Sequence, residues 1–180
     1  MSSSKLAHRF LEDRLCDEAS RLLNGWQGRL DPGGYQDPAT GWFRRGTVRS
    51  VLAGLIQRQL AAKPSAKWLV LSEQPYPEGA PGSPLILDLW LQGPSEEETI
   101  AVLVKSDFDL DQAKVAYQQL IELKPRRFHT GYLFFCADRL KVADWQEEIE
   151  ASPHDRVTAR GIGRQPLAPS PSRHPHRRRE

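Results

Sequence analysis

Two charged residues, Asp88 and Lys105, lie within or at the end of apolar segments that are typical of buried β-strands. The segments are "LILDLWLQ" at 85–92 and "TIAVLVK" at 99–105, separated by the polar loop "GPSEEE". An ionised side chain is costly to bury unless it is paired or used in chemistry. A carboxylate can bind Mg²⁺ through oxygen, and a lysine ammonium can bind an anion or orient water. We therefore take Asp88 and Lys105 as the first candidates for a functional site.

The alternation of side chains along a strand determines which residues share a face with Asp88. If 85–92 is extended, Ile86 and Trp90 share that face, and the leucines at 85, 87, 89 and 91 form the opposite face. In the next strand Lys105 shares its face with Leu103. Pairing the two strands as a hairpin places Asp88 and Lys105 on the same side of the sheet. A structural ion pair and a reactive site both fit this arrangement.

The elements that position these residues follow from hydrophobic periodicity and from turn and cap residues. Three strands precede a crossover helix and a further strand whose continuous apolar sequence is typical of burial on both faces. The sequence therefore predicts an α/β fold with a mixed sheet flanked by helices and with an extra N-terminal helix. In chain order the predicted elements are a helix at 5–23, a helix from Thr47, strands at 67–73, 85–92 and 99–105, a helix at 109–124, a strand at 129–136, a helix at 139–151 and a short edge strand at 156–162.

The segment at 26–46, which we call the aromatic segment, is rich in glycine and proline and has no clear period. It carries Trp26, Tyr35, Trp42 and Phe43. Such a long irregular segment inside a domain is expected either to pack or to bind something. We expect its aromatic rings to pack onto the domain, and a surface that stacks on nucleic-acid bases is the alternative.

Composition points to one globular domain in a reducing compartment. The chain has 180 residues, of which 39% are hydrophobic, enough to bury a core. Its two cysteines, Cys16 and Cys136, are far apart in sequence and exclude a disulfide framework or a cysteine-rich zinc site. We find no secretory signal and no apolar run long enough to span a bilayer, so a cytoplasmic protein without a membrane partner is expected.

Charge is distributed unevenly along the chain. Five arginines and one glutamate lie from Arg164 onward, which leaves 20 basic and 22 acidic residues, a net charge of −2, for the preceding part. We expect a single domain at 1–162, comprising the N-terminal helix and aromatic segment (1–46) and a core (47–162). The Pro/Ser/Arg/His-rich residues 163–180 are expected to form a disordered basic tail.

The order helix, three strands, helix, strand resembles the PD-(D/E)XK nuclease superfamily, whose fold is called restriction-endonuclease-like. The resemblance covers roughly residues 47–137 and depends on element order and on Asp88 and Lys105. It implies an α-β-β-β-α-β core, Mg²⁺ bound near Asp88, and a role for Lys105 in activating the attacking water. The metal would stabilise charge on the phosphate that is being displaced.

The sequence departs from this family where a second metal carboxylate is expected. Leu103 stands two residues before Lys105, so the strand reads "LVK". Glu73 and Asp107 are the acids that could replace the missing ligand, and each is equally typical of an exposed residue at a strand end.

Three functions fit these observations. The first is a nuclease-fold protein that has lost cleavage and binds DNA or RNA or serves in an assembly. The second is an active Mg²⁺-dependent endonuclease that uses Asp88 with Glu73 or Asp107. The third is a scaffold with a protein partner and no nucleic-acid role, which the net negative charge of the domain permits.

Overall fold

The structure is a computed structural model, and it describes residues 3–29, 34–62, 67–76, 85–95, 98–123 and 130–166. Within these ranges, an N-terminal helical pair and a small hairpin are followed by a helix, three strands, and then two helices that alternate with two strands. In chain order the elements are α1 (Ser3–Asp13), α2 (Leu15–Trp26), β1 (Gln36–Asp37), β2 (Trp42–Phe43), α3 (Arg45–Ala61), β3 (Leu69–Pro75), β4 (Ile86–Gln92), β5 (Thr99–Lys105), α4 (Leu110–Glu122), β6 (Thr130–Asp138), a 3₁₀ turn (Arg139–Lys141), α5 (Val142–Ile149) and β7 (Val157–Arg164).

The main sheet has five strands in the order β3-β4-β5-β6-β7. The pairs β3–β4 and β4–β5 are antiparallel, whereas β5–β6 and β6–β7 are parallel. Parallel neighbours require a crossover, which α4 and α5 provide. The predicted α/β class with a mixed sheet is therefore confirmed.

Helices cover both faces of the sheet. On one face Leu52 of α3 packs with Leu89 and Val102, and on the other Leu120 of α4 packs with Leu133. The central residues 131–137 of β6 are buried without alternation, as expected of a strand between two helical layers. Within the described ranges, no helix combines the length and apolar character needed to cross a bilayer.

Two predicted helix boundaries are wrong. The N-terminal helix is divided at Arg14, whose φ of −126° is not helical. The backbone hydrogen bonds from Arg14 N to Phe10 O and from Glu18 N to Arg14 O continue across the break, so it is a kink. Helix α3 begins at Arg45 rather than at Thr47, because Arg44 N donates to Tyr35 O and holds Arg44 in an extended conformation.

The aromatic segment contains the hairpin β1–β2, and two of its rings lie in the core. Trp42 and Phe43 are fully buried. Trp42 makes edge-on contacts with Phe43 and Phe108, at centroid distances of 5.2 and 6.0 Å. The packing prediction is confirmed for these two residues, whereas Trp26 and Tyr35 remain partly exposed.

Strand β7 extends two residues past the boundary predicted between domain and tail. Gly163 and Arg164, which we expected in the tail, belong to β7 and pair in parallel with β6. Asn24 of α2 donates to Gly163 O at 2.8 Å and accepts from Gln165 N at 2.8 Å, so the chain is held as far as Gln165. The rest of the predicted tail, 167–180, lies outside the described residues.

Candidate functional site

The pairing of β3 with β4 is interrupted at Glu73 and Asp88. Ser72 pairs with Leu89 and Gln74 pairs with Leu87, but the residues between them do not pair. Glu73 has a φ of +53°, in the left-handed region that is rare for residues other than glycine, asparagine and aspartate. Side chains of β4 that precede Asp88 consequently point to the opposite face of the sheet from the one that regular alternation predicts.

The alternation predicted for β4 fails because of this interruption. Leu89 and Leu91 pack on the α3 side of the sheet, as expected for residues two apart. Leu87 instead packs on the α4 side, with Leu103. The prediction of one continuous leucine face is therefore wrong at Leu87, and Asp88 is located where the strand changes faces.

Asp88 also replaces a backbone acceptor for β5. The last pair between β4 and β5 is Leu89 with Val102. Two residues further along β5, Val104 N donates to Oδ2 of Asp88 at 2.6 Å. The carboxylate thus satisfies a buried N–H that regular pairing would have bonded to a carbonyl.

Arg45, the first residue of α3, binds the same carboxylate with two hydrogen bonds. Its Nε donates to Oδ1 at 2.8 Å and its Nη2 donates to Oδ2 at 2.7 Å. Asp88 is 1% exposed, whereas the Arg45 side chain is 46% exposed. This paired, charge-assisted geometry is the strong form of a carboxylate–arginine contact. To bind a metal ion, Asp88 would have to release Arg45.

A second arginine, Arg49, lies one turn further along α3 and connects two carboxylates. Its Nη1 lies 2.9 Å from Oε1 of Glu73 and 3.8 Å from Oδ1 of Asp88. Glu73 is 64% exposed, so its contact with Arg49 is a surface ion pair that competes with water. Charges of opposite sign therefore alternate from Glu73 through Arg49 and Asp88 to Arg45.

These four side chains line an open cleft of about 700 Å³, which we call the basic cleft. Lys105 and Leu103 of β5 and Gln119 of α4 also line it. Within the part of the chain that the structure describes, the ammonium of Lys105 makes no hydrogen bond or ion pair. The structure thus brings together Asp88, Glu73, Lys105 and Leu103.

Asp107, the other predicted metal ligand, does not line the basic cleft. Strand β5 ends at Lys105, and Asp107 is exposed in the connection to α4. Burial raises the pKa of the Cys136 thiol to about 12, and the nearby Asp107 carboxylate adds to the rise. The role of Asp107 as a metal ligand stays a prediction.

The residues that the sequence did not single out are Arg45, Arg49 and Gln119. The signal for the arginines is their spacing of four in "RRGTVR", which puts both on one side of a helix. A basic helix face is commonly solvated, so the spacing alone does not reveal a carboxylate partner 43 residues away in sequence. Only the tertiary structure shows that pairing.

The basic cleft lies at the edge of the sheet where β5 ends and where β4 begins. Open α/β sheets commonly bind ligands at the carboxyl ends of their parallel strands. No model of a known protein family matches the chain, and no curated protein matches it. A function for the cleft is therefore inferred from its position in the fold and from the charges of its lining residues.

Proposed function

We propose that the protein is a nucleic-acid-binding module with a restriction-endonuclease-like core and no cleavage activity. Arg45 takes the position beside Asp88 that the resemblance assigns to Mg²⁺. The observation that carries the proposal is the pair of hydrogen bonds from Arg45 to the buried Asp88 carboxylate, at 2.8 and 2.7 Å.

The arrangement of elements supports a core of this type. Helix α3, strands β3–β5, helix α4 and strand β6 follow one another in the α-β-β-β-α-β order that the resemblance implies. Asp88 and Lys105, the two positions on which the resemblance depends, line one cleft. Two residues of neighbouring strands thus line the same open cleft.

The oxygen atoms around Asp88 are not arranged to bind Mg²⁺. Mg²⁺ requires oxygen ligands in a near-octahedral arrangement. Both oxygens of Asp88 accept hydrogen bonds, and Leu103 offers no oxygen where the family has its second acid. Glu73 is paired with Arg49. The alternative of an active nuclease with a relocated carboxylate therefore has little support from these contacts.

The charge of the cleft supports binding of a polyanion. Three cations, Arg45, Arg49 and Lys105, face two carboxylates, Asp88 and Glu73, which leaves one positive charge in excess. This local excess occurs in a domain whose net charge is negative. Arginine and lysine contacts to phosphates supply most of the affinity of nucleic-acid binding that does not depend on sequence.

The test is the affinity of the full-length protein for labelled DNA and RNA oligonucleotides, measured by fluorescence anisotropy at several salt concentrations. Each titration is run with Mg²⁺ and again with EDTA, and the products are examined on a gel. We expect affinity that falls as salt rises, equal values in Mg²⁺ and EDTA, and intact oligonucleotides. Metal-dependent cleavage, or no binding at low salt, would contradict the proposal.

A scaffold without a nucleic-acid role is the second candidate, and one observation favours it. An apolar depression of about 490 Å³ lies between α2 and α3, lined in part by Leu22, Trp26 and Tyr35. Exposed apolar surface of this kind is typical of protein interfaces. A protein partner bound there would show weak salt dependence, in contrast to nucleic acid bound in the basic cleft.

A further inference from the structure

We propose that the basic cleft contains a phosphate subsite formed by Lys105 and Arg49. In the free protein Glu73 is paired with Arg49, and a bound phosphodiester displaces the Glu73 carboxylate. This inference rests on the proposed nucleic-acid function and specifies how one backbone phosphate is held. It assigns Glu73 a role opposite to that of a metal ligand, because its carboxylate competes with the bound group.

Lys105 provides the first half of the subsite. Its ammonium lines the cleft and makes no ion pair or hydrogen bond within the described ranges, although the side chain is only partly exposed. The interaction of an anion with a partly buried ammonium is more favourable in free energy than its interaction with a fully hydrated ammonium, because part of the surrounding water is already excluded. The neighbouring Leu103 side chain is apolar and supplies no competing acceptor.

Arg49 provides the second half, and its guanidinium is shared unequally between two carboxylates. Its contact with Glu73 is short at 2.9 Å, whereas the nearest oxygen of Asp88 is 3.8 Å away. The Arg49 side chain is largely buried, so its position is fixed, while the Glu73 side chain is mostly exposed and free to rotate into water. Glu73 is therefore the partner that a ligand would displace.

Arg45 has a different part in this arrangement. It neutralises Asp88, so that the buried carboxylate does not repel an incoming anion. The first turn of α3 adds to the positive potential, because no side-chain hydrogen bond from Arg44 caps it and the turn contains no acid.

The charge balance indicates which kind of phosphate fits. With Glu73 displaced into water, Arg45, Arg49 and Lys105 face Asp88 alone, an excess of two positive charges. With Glu73 in place, the excess is one. A phosphodiester carries one negative charge, so it replaces the charge of the Glu73 carboxylate and restores the excess of one without requiring any further cation.

The sharpest test is Glu73→Gln, which keeps the size of the side chain and the backbone conformation but removes the competing charge. Exposed ion pairs of this kind are weak, so we expect oligonucleotide affinity to rise by about two- to five-fold. Glu147→Gln is the matched control, since it removes one exposed negative charge from α5. A rise that is equal in both variants, or a fall in Glu73→Gln, would overturn the inference.

Lys105→Ala tests the other half of the subsite. It should weaken binding and reduce the slope of log affinity against log salt by about one, the loss of one phosphate contact. Lys141→Ala, at an exposed lysine of the 3₁₀ turn, is the control and should leave the slope unchanged. Equal slopes for wild type and Lys105→Ala would show that no phosphate is bound at this lysine.

A titration with inorganic phosphate separates failure of this inference from failure of the proposed function. The amide signal of Gly46 and the side-chain signal of Arg49 are followed by NMR. Phosphate-dependent shifts of both signals without oligonucleotide binding would support the subsite and contradict the nucleic-acid function. Oligonucleotide binding without shifts at either residue would leave that function in place and overturn the subsite.

Discussion

Two arginine–aspartate pairs lie at the edge of the sheet where its parallel strands end, and their exposures are reversed. In Arg45–Asp88 the aspartate is 1% exposed and the arginine 46% exposed. In Arg164–Asp138 the arginine is 22% exposed and the aspartate 49% exposed. Arg164 also donates to Thr40 O at 2.6 Å and stacks at 3.9 Å over the ring of Phe108.

This reversal distinguishes a candidate binding site, at Arg45, from a purely structural contact at Arg164, which we call the latch. Arg164 connects the end of β7 to the β1–β2 hairpin through Thr40 and to the segment between β5 and α4 through Phe108. Asp138 accepts a further hydrogen bond from Arg164 on the solvent side. Arg45 presents the outer side of its guanidinium to an open cleft while it holds a buried acid that has few other partners. An arginine with a buried carboxylate and an exposed outer edge can meet a ligand, whereas one surrounded by its own chain cannot.

The largest expected effect follows from Arg45→Ala. Breaking a buried ion pair commonly costs about 3–5 kcal/mol, and here the nearby Arg49 and the Val104 N–H offset part of that, so we expect about 2–4 kcal/mol. Urea unfolding followed by circular dichroism measures it. The double variant Arg45→Ala/Asp88→Asn should recover part of the loss. Equal stability of Arg45→Ala and wild type would mean that Asp88 does not depend on Arg45.

Arg164→Ala should have a smaller effect, about 1–2 kcal/mol, from the lost hydrogen bond to Thr40 and the lost contact with Phe108. Asp138→Asn should be close to neutral because surface ion pairs contribute little. The same urea unfolding experiment applies. A larger loss for Arg164→Ala than for Arg45→Ala would reverse the comparison between the two pairs.

The sequence predicted the regular half of the sheet better than the half that forms the cleft. The apolar run of β6 and the edge strand β7 were identified because uninterrupted pairing preserves the pattern of burial. Leu87 was misplaced because alternation assumes that β4 does not change faces at Asp88. Such a change accompanies the missing pair between Asp88 and Glu73 of the neighbouring strand, which no local pattern records.

The candidate site was predicted in part for the same reason. Asp88, Glu73 and Lys105 were found because charged residues in apolar strands are conspicuous. Arg45 was missed because its partner is distant in sequence. Asp107 is not among the residues that line the basic cleft, and strand parity alone could not show that β5 ends at Lys105.

Truncation after Pro166 has the smallest expected effect, and its comparison with truncation after Gly163 tests the latch at the end of β7. A chain that ends after Pro166 retains every described contact of Arg164, so its melting temperature should equal that of the full-length protein. A chain that ends after Gly163 should lose at least as much stability as Arg164→Ala, because it also lacks the hydrogen bond from Gln165 N to Asn24 Oδ1. Differential scanning fluorimetry of the two truncations measures both values. Equal melting temperatures for the two truncated proteins would show that Arg164 is not the latch.

The most direct test of the central claim is paramagnetic broadening by Mn²⁺ in the NMR spectrum of the full-length protein. The amide of Val104 is the reporter, because its nitrogen lies 2.6 Å from Oδ2 of Asp88. If Arg45 stands in for the metal, Mn²⁺ should leave the Val104 signal of the wild type sharp, and broadening should appear only in Arg45→Ala. Selective broadening of Val104 in the wild type at low Mn²⁺ concentration would contradict the account.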